Sequence, residues 1–282
     1  MAKKVWFITG CSTGFGRALA QLTLSLGHPT VVTARNPAQV EDLAAAHPDL
    51  ALALKLDVTD PAQVAAAVAA ATERFGAIDV LVNNAGVGYF GSFEESDLAE
   101  VRRMLEINLW GLAAATRAVL PLMRKQRSGT IVNISSIAGI AGAPSLSFYN
   151  ASKFAVEGLS ESLAQEVAPL GIHVLLVEPG PFRTDWAGRS ASEAPAAIAD
   201  YHETAGARSR QIRGYSGRQP GDPQRAAAAI VKAVEASEPF LRLLLGKAAL
   251  RMARLKLAAA QKDFDAWAEV SEGADFPEQP AP

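Results

Sequence analysis

Cysteine is almost missing from this sequence. Cys11 is the only one in 282 residues, so no disulfide can form within the chain. Histidine is scarce too, at four scattered positions, and no spacing matches a set of metal ligands. Neither sign of charge dominates: 27 Lys and Arg against 29 Asp and Glu leave a formal charge of −2. The cations are spread along the chain, which argues against nucleic acid as the main partner. No apolar run reaches the length needed to span a bilayer, and the apolar part of MAKKVWFITG is too brief for a secretory signal. A soluble, cytoplasmic protein in a reducing compartment is the expectation.

What the chain does have is a rhythm. Hydrophobic residues make up 49% and charged residues 20%, a globular balance. Short unbroken apolar runs recur at 5–9, 30–34, 52–58, 79–84, 129–135, 173–179 and 240–246. Longer segments with apolar residues at helical spacing lie between them, as at 15–26, 61–75, 97–125 and 150–168. Apolar runs without polar alternation suit strands buried on both faces, as in a parallel sheet. The alternation predicts an α/β, doubly wound Rossmann fold: a parallel sheet of about seven strands with helices on both faces. In 60–76, Asp60 is placed to cap a helix, Pro61 to open it and Gly76 to end it.

A single catalytic and dinucleotide-binding domain is expected over 1–246, with an irregular substrate-loop insertion at about 185–221. A helical extension and a fraying tail are expected over 247–282.

The first run leads into TGCSTGFG, with Gly10, Gly14 and Gly16, and then into a helix. A helix that starts here aims its unpaired N–H groups at the crevice above the sheet. Glycines let the backbone approach a pyrophosphate with no Cβ in the way. Gly10, Ser12, Thr13, Gly14, Phe15 and Gly16 are therefore the expected cofactor turn. Arg35 stands nineteen residues after Gly16, at the end of the second strand, and no acid appears before Glu41. A guanidinium there pairs with a 2′-phosphate, where an aspartate would repel it, so NADP(H) is favoured over NAD(H). A solvated strand-end charge is the plainer reading. Asp57, followed by Val58, ends the third strand and either accepts from an adenine amino group or caps the following turn.

Tyr149 precedes Lys153 by four residues in SFYNASKFAVEG. On a helix this puts a phenol and an ammonium on one face. A free tyrosine titrates near ~10, and a neighbouring positive charge favours the phenolate. The pair has the spacing of an acid/base device.

These motifs, with NNAG at 83–86, INLWG around Asn108, NISS ending at Ser136 and EPGPFRTD at 178–185, resemble the classical short-chain dehydrogenase/reductase family. Within it the sequence is most similar to NADP-preferring members that act on steroid-like, retinol-like or other apolar alcohols and ketones. The resemblance implies a tetrad of Asn108, Ser136, Tyr149 and Lys153. In it Tyr149 is the acid/base and Ser136 bonds the substrate oxygen. Lys153 holds the nicotinamide ribose, and Asn108 holds a water that passes protons to the lysine. Ser136 is preferred to Ser135 because it lies thirteen residues before the tyrosine.

Asn84, Ala85 and Gly86 are implied along the adenosine ribose, Pro179, Gly180 and Phe182 near the nicotinamide, and Thr184 on its carboxamide. The segments 87–90 and 137–148, with Phe182 and Trp186, are mostly apolar and hold no Arg or Lys. An uncharged, fairly apolar alcohol or carbonyl compound is thus the expected substrate, although the arginines of 185–221 leave an opening. A homodimer or homotetramer is implied. The competing readings are a catalytically silent NADP(H)-binding regulator and an NAD-dependent dehydrogenase of the same fold.

Overall fold

Each apolar run becomes a strand of one parallel sheet in the computed structural model, which describes residues 3–276. The chain runs β1 (Trp6–Ile8), α1 (Gly14–Ser25), β2 (Thr30–Ala34), α2 (Glu41–Ala46), β3 (Ala51–Lys55), α3 (Pro61–Phe75) and β4 (Val80–Asn83). It continues through β5 (Gly88–Phe90), α4 (Leu98–Leu105), α5 (Leu112–Gln126), β6 (Gly129–Ile134), α6 (Ser147–Val167) and β7 (Ile172–Pro179). Then follow β8 (Ala191–Glu193), α7 (Ala207–Gly214), α8 (Pro223–Val234), β9 (Arg242–Leu245), α9 (Lys247–Ala266) and α10 (Ala268–Glu272). The main sheet has seven strands in the order β3-β2-β1-β4-β6-β7-β9, and every pairing in it is parallel. Strand order reverses between β1 and β4, which opens a crevice beyond their C-terminal ends.

Both faces of the sheet are covered, and successive residues of a strand serve opposite faces. Val80 and Val82 of β4 join Leu19, Leu24 and Ile230 from α1 and α8. Leu81 joins Val64, Val119 and Met123 from α3 and α5 on the other side. Burying such a side chain contributes roughly 1.5–3 kcal/mol, and both faces need it. That is why the strands read as unbroken apolar runs. The α3 boundaries follow from the sequence as expected: Asp60 accepts from the Ala62 and Gln63 N–H groups at 2.9 and 3.2 Å, and Gly76 ends the helix at φ 78°.

Two stretches depart from expectation. The helix read over 97–125 is interrupted by a π-helical segment at Glu106–Gly111, which carries Asn108. The insertion at 185–221 is more ordered than its composition suggests. Its β8 pairs in parallel with β5, Gly88 against Ala191 and Phe90 against Glu193. The Glu95 carboxylate then accepts from the Ala197 and Ile198 N–H groups at 2.6 and 2.7 Å. These bonds hold the segment over the crevice as a lid.

Beyond β9 the chain forms the long helix α9. Ala249 and Ala253 of α9 are buried against the body, and Leu255, Leu257, Phe264 and Trp267 beyond them are exposed. Of the tail expected to fray, residues 277–282 lie outside the described residues. Among the described residues, no helix is long and apolar enough to cross a membrane.

Candidate active site

The crevice is a cleft of about 1180 Å³. One end is built by the glycine turn. Gly10 and Gly14 have positive φ, 71° and 59°, and a Cβ on Gly10 would lie 3.0 Å from the Ala85 Cα. The Asn84 amide ties the turn to β4 by donating to the Thr9 and Gly10 carbonyls at 2.8 and 2.9 Å. The Thr9 hydroxyl accepts from the Asn84 and Ala85 N–H groups in return. Thr9 was not singled out from the sequence; its hydroxyl at the end of a buried strand was the available signal.

Asp60, Asp97 and Asp222 cap α3, α4 and α8 with their carboxylates. By contrast α1 has no side-chain cap and no acid in its first turn. Its first N–H groups are left for an anion, which fits a pyrophosphate.

Gly10, Ser12, Thr13, Gly14 and Phe15 line this end, with Arg35, Asp57 and Val58 beside them. Gly16 does not. It lies behind the turn, where a Cβ would come within 2.4 Å of both the Gly10 carbonyl oxygen and the Asn84 amide. The expected cofactor contact at Gly16 is therefore corrected to a close-packing role. Arg35 is exposed at the rim and has no ion pair among the described residues. The Asp57 carboxylate caps its own turn, accepting from the Thr59 N–H at 3.0 Å and its hydroxyl at 2.7 Å. It also lines the cleft.

The middle of the cleft is lined by Asn84, Ala85, Gly86, Ser136, Tyr149 and Lys153. Pro179, Gly180, Phe182 and Thr184 follow along the same wall. Phe15 and Phe182 meet edge to face at 5.1 Å, joining the glycine turn to that wall. Thr184 faces Gly14 and caps the short turn at Asp185–Ala187.

α6 brings Tyr149 and Lys153 to one side of the cleft, with Lys153 Nζ 5.8 Å from the centre of the Tyr149 ring. Lys153 donates to the Ile134 carbonyl at 2.8 Å. Trp186 packs on the Tyr149 ring, and the Ser136 and Trp186 side chains are near enough to the phenol to favour its charged form. The Ser135 hydroxyl instead donates to the buried Glu157 carboxylate. Of the two serines, Ser136 is the one beside the tyrosine.

Burial governs the charges here. It pushes the Tyr149 phenol well above the usual tyrosine value, and the Ser136 and Trp186 side chains oppose it only in part. Burial also brings the Lys153 ammonium down to about 8, with the Glu157 carboxylate pulling the other way. The expected lowering of Tyr149 by its lysine is therefore absent. Lys153 stays mostly protonated at neutral pH, but it spends a donor on Ile134.

Asn108 does not line the cleft. Its amide donates to the Val87 carbonyl at 2.9 Å and to the Ser152 hydroxyl at 3.3 Å, and its oxygen accepts from the Val87 N–H at 2.9 Å. Both amide hydrogens are used, so a water-holding role finds no free donor on this side chain. Asn108 clamps the chain after β4, next to Gly86. π-Helical turns of this kind are frequent at functional sites, but no residue spacing announces one.

The far end is apolar. Trp186 packs on Tyr149 at 4.8 Å and on Phe90 at 5.3 Å, and Val87, Leu146 and Ile212 join this cluster. The lid adds what sequence reading placed only loosely: Arg189, Arg208, Arg210 and Arg218 line the same cleft, as does Arg103 of α4. Gln219 lines it too, almost fully buried and with its side-chain oxygen unpartnered.

The match to known proteins agrees with this arrangement. Residues 4–195 fit the family model for short chain dehydrogenases. The chain is 40% identical to an oxidoreductase of Botryotinia fuckeliana, BOA17, over 269 residues, which cover 95% of this chain and 98% of the relative. A short-chain dehydrogenase from Streptomyces avermitilis has the same fold, with TM-score 0.91 and 43% identity, covering 98% of this chain and 100% of the other. A short-chain dehydrogenase/reductase from Burkholderia phymatum, solved in complex with NAD, follows at TM-score 0.79 and 29% identity, with 99% and 98% covered. From the glycine turn to the tyrosine helix, then, the chain belongs to the short-chain dehydrogenase/reductase family of oxidoreductases.

Proposed function

We propose that this protein interconverts an alcohol and a ketone or aldehyde with NADP(H), on a fairly apolar substrate that is uncharged around its reacting carbon, with Tyr149 as the acid/base. The observation that carries this reading is a phenol held on the cleft wall between Ser136 and Lys153, in one cavity with an uncapped helix start.

Gly10, Ser12, Thr13, Gly14 and the first turn of α1 would hold the cofactor pyrophosphate. Arg35 would hold the 2′-phosphate and Lys153 the ribose hydroxyls. The nicotinamide, when bound, supplies or accepts the hydride. For reduction, Tyr149 gives its phenolic proton to the carbonyl oxygen, and Ser136 donates a hydrogen bond to that oxygen as charge builds. The phenol is protonated at neutral pH, as this direction needs, but burial makes it a weaker acid, so the transfer depends on stabilisation of the phenolate that forms. Lys153, when protonated, stabilises the phenolate that is left. Asn108, through Val87, keeps the wall beside Gly86 in place. The apolar cluster of Trp186, Phe90 and Ile212 keeps water from the reacting centre.

The preference for NADP(H) rests on the unpaired Arg35 and on the absence of an acid beside it; the Burkholderia relative was solved with NAD. The test is consumption of NADPH and NADH against a panel of apolar ketones and aldehydes, with Tyr149→Phe as control. NADPH-preferring turnover that falls about 10²-fold or more in the variant, with cofactor binding retained, is the expected result. NADPH binding without turnover of any carbonyl would favour the regulator.

A further inference from the structure

Not every lid arginine has a structural task. Arg213 pairs with Glu193 and lies over the Phe90 ring, and Arg189 pairs with Asp185 at 2.6 Å. Arg183 donates to the Gln219 carbonyl, and Arg210 donates to the His202 carbonyl. The exposed Arg210 has no carboxylate partner among the described residues, and the same holds for Arg208 and Arg218. All three line the cleft. Arg208 is half-buried and shares a hydrogen bond with the neutral Gln211 at 2.7 Å, which sets it apart from Arg210; Arg218 is exposed at the cleft mouth and bonds only the Gly214 carbonyl. Asp57, at the glycine-turn end, and the occupied Asp185 are the carboxylates of the cleft wall among the described residues. The lid therefore presents uncompensated positive charge to the cavity.

The helix sets where that charge lies. Residues four apart share a face, so the face of α7 that carries Ile212 into the apolar cluster with Tyr149 and Trp186 also carries Arg208. At 1.5 Å per residue, Arg208 is displaced from Ile212 by roughly 6 Å along the helix axis. Apolar contact surrounds the reacting centre, and a guanidinium stands one turn away on the same wall.

We infer that Arg208 and Arg218 form a second recognition point, for an anionic group at the end of the substrate remote from its carbonyl. The preferred substrates are then amphipathic: an apolar chain or ring system bears the reacting carbonyl near Tyr149 and ends in a carboxylate or phosphate at the lid. The inference rests on the oxidoreductase reading above and narrows its substrate class. A guanidinium suits this task because its planar fork matches an oxyanion and it stays charged at every working pH.

The test compares a medium-chain aldehyde carrying a terminal carboxylate with its methyl ester, each with NADPH, in the wild type, in Arg208→Gln/Arg218→Gln and in Arg208→Lys. In the wild type the carboxylate should be favoured about tenfold in kcat/KM, mostly through KM, and the preference should shrink as salt is raised. The double variant should lose that preference while keeping its rate on the ester and its Kd for NADPH. Arg208→Lys should keep part of it. An ester turned over as well as the carboxylate by the wild type would overturn the inference. So would a double variant whose NADPH affinity falls while the substrate preference stays, since the arginines would then serve the cofactor's phosphates. Failure of both aldehydes with NADPH still bound would instead overturn the oxidoreductase reading, and the inference with it.

Discussion

Lys153 is expected to weaken the fold it belongs to, and the effect has a size and a pH window. The folded-state value is about 8, against 10.5 for an unperturbed lysine, because burial disfavours the ammonium. The unfolded chain thus binds more protons than the folded one between these values, and stability rises with pH across that window. Below pH 8 the full penalty applies, about 3 kcal/mol for a shift of this size at ~1.4 kcal/mol per unit. Lys153→Met removes the penalty but also the hydrogen bond to Ile134, which contributes roughly 1 kcal/mol. The variant should be more stable than the wild type by about 2 kcal/mol at pH 7, less so at pH 9, and no longer so once the pH passes 10.5. Urea unfolding of the cofactor-free protein at these pH values measures it, and NADPH-dependent turnover should be lost in the same variant. A variant that is less stable at pH 7, or a difference that does not change with pH, would refute the account of Lys153 as a desolvated cation.

Three further outcomes follow from the same structure. Arg35→Asp should weaken NADPH binding at least about tenfold, the loss of a charge-assisted contact, and leave NADH binding nearly unchanged in fluorescence titrations. Gly16→Ala should abolish cofactor binding and lower the melting temperature, because its methyl would meet the Gly10 carbonyl oxygen, a backbone atom that cannot move aside cheaply. Arg242 pairs with Glu157, Glu178 and Glu161, and Glu178 is fully buried with its carboxyl held above the usual range by burial and by Glu157. Arg242→Met should destabilise by roughly 3–5 kcal/mol by leaving buried carboxylates unpaired. Because a raised carboxyl makes stability fall as pH climbs through its folded-state value, the loss in urea unfolding should be larger at pH 8 than at pH 6.

The main sheet was legible because parallel strands buried on both faces leave short, β-branched apolar runs between longer helical segments, as at Trp6–Ile8 and Val80–Asn83. The α3 boundaries were legible because Asp60, Pro61 and Gly76 each have a local physical reason to stand where they do. Tyr149, Lys153 and Ser136, read from spacing and family resemblance, line one cleft. Long-range geometry was not legible. The pairing of β5 with β8 joins three-residue strands a hundred positions apart, too short for any periodic signal. The π-helical segment around Asn108 differs from an α-helix by one shifted hydrogen bond, which composition does not record. The burial that sets the acidity of Tyr149 is likewise a property of the packed molecule. The arginines of 185–221 were visible as residues, but whether they faced solvent, a carboxylate or the cleft was decided only by folding.

The seam between β5 and β8 has a consequence for how such an enzyme changes over time. The lid is sewn to the body there through main-chain groups, as in the Gly88 N–H to Ser190 carbonyl bond at 2.9 Å and the Ala194 N–H to Phe90 carbonyl bond at 2.7 Å. Backbone pairing is largely indifferent to side-chain identity. Most of the lid's side chains can therefore be exchanged without unfastening it, while Gly88 cannot, since a Cβ there would sit 2.9 Å from Ala191 and 3.1 Å from Trp186. Selection for a new substrate can redraw the wall that faces the ligand and leave the attachment untouched, which makes this segment an interchangeable cassette on a fixed frame.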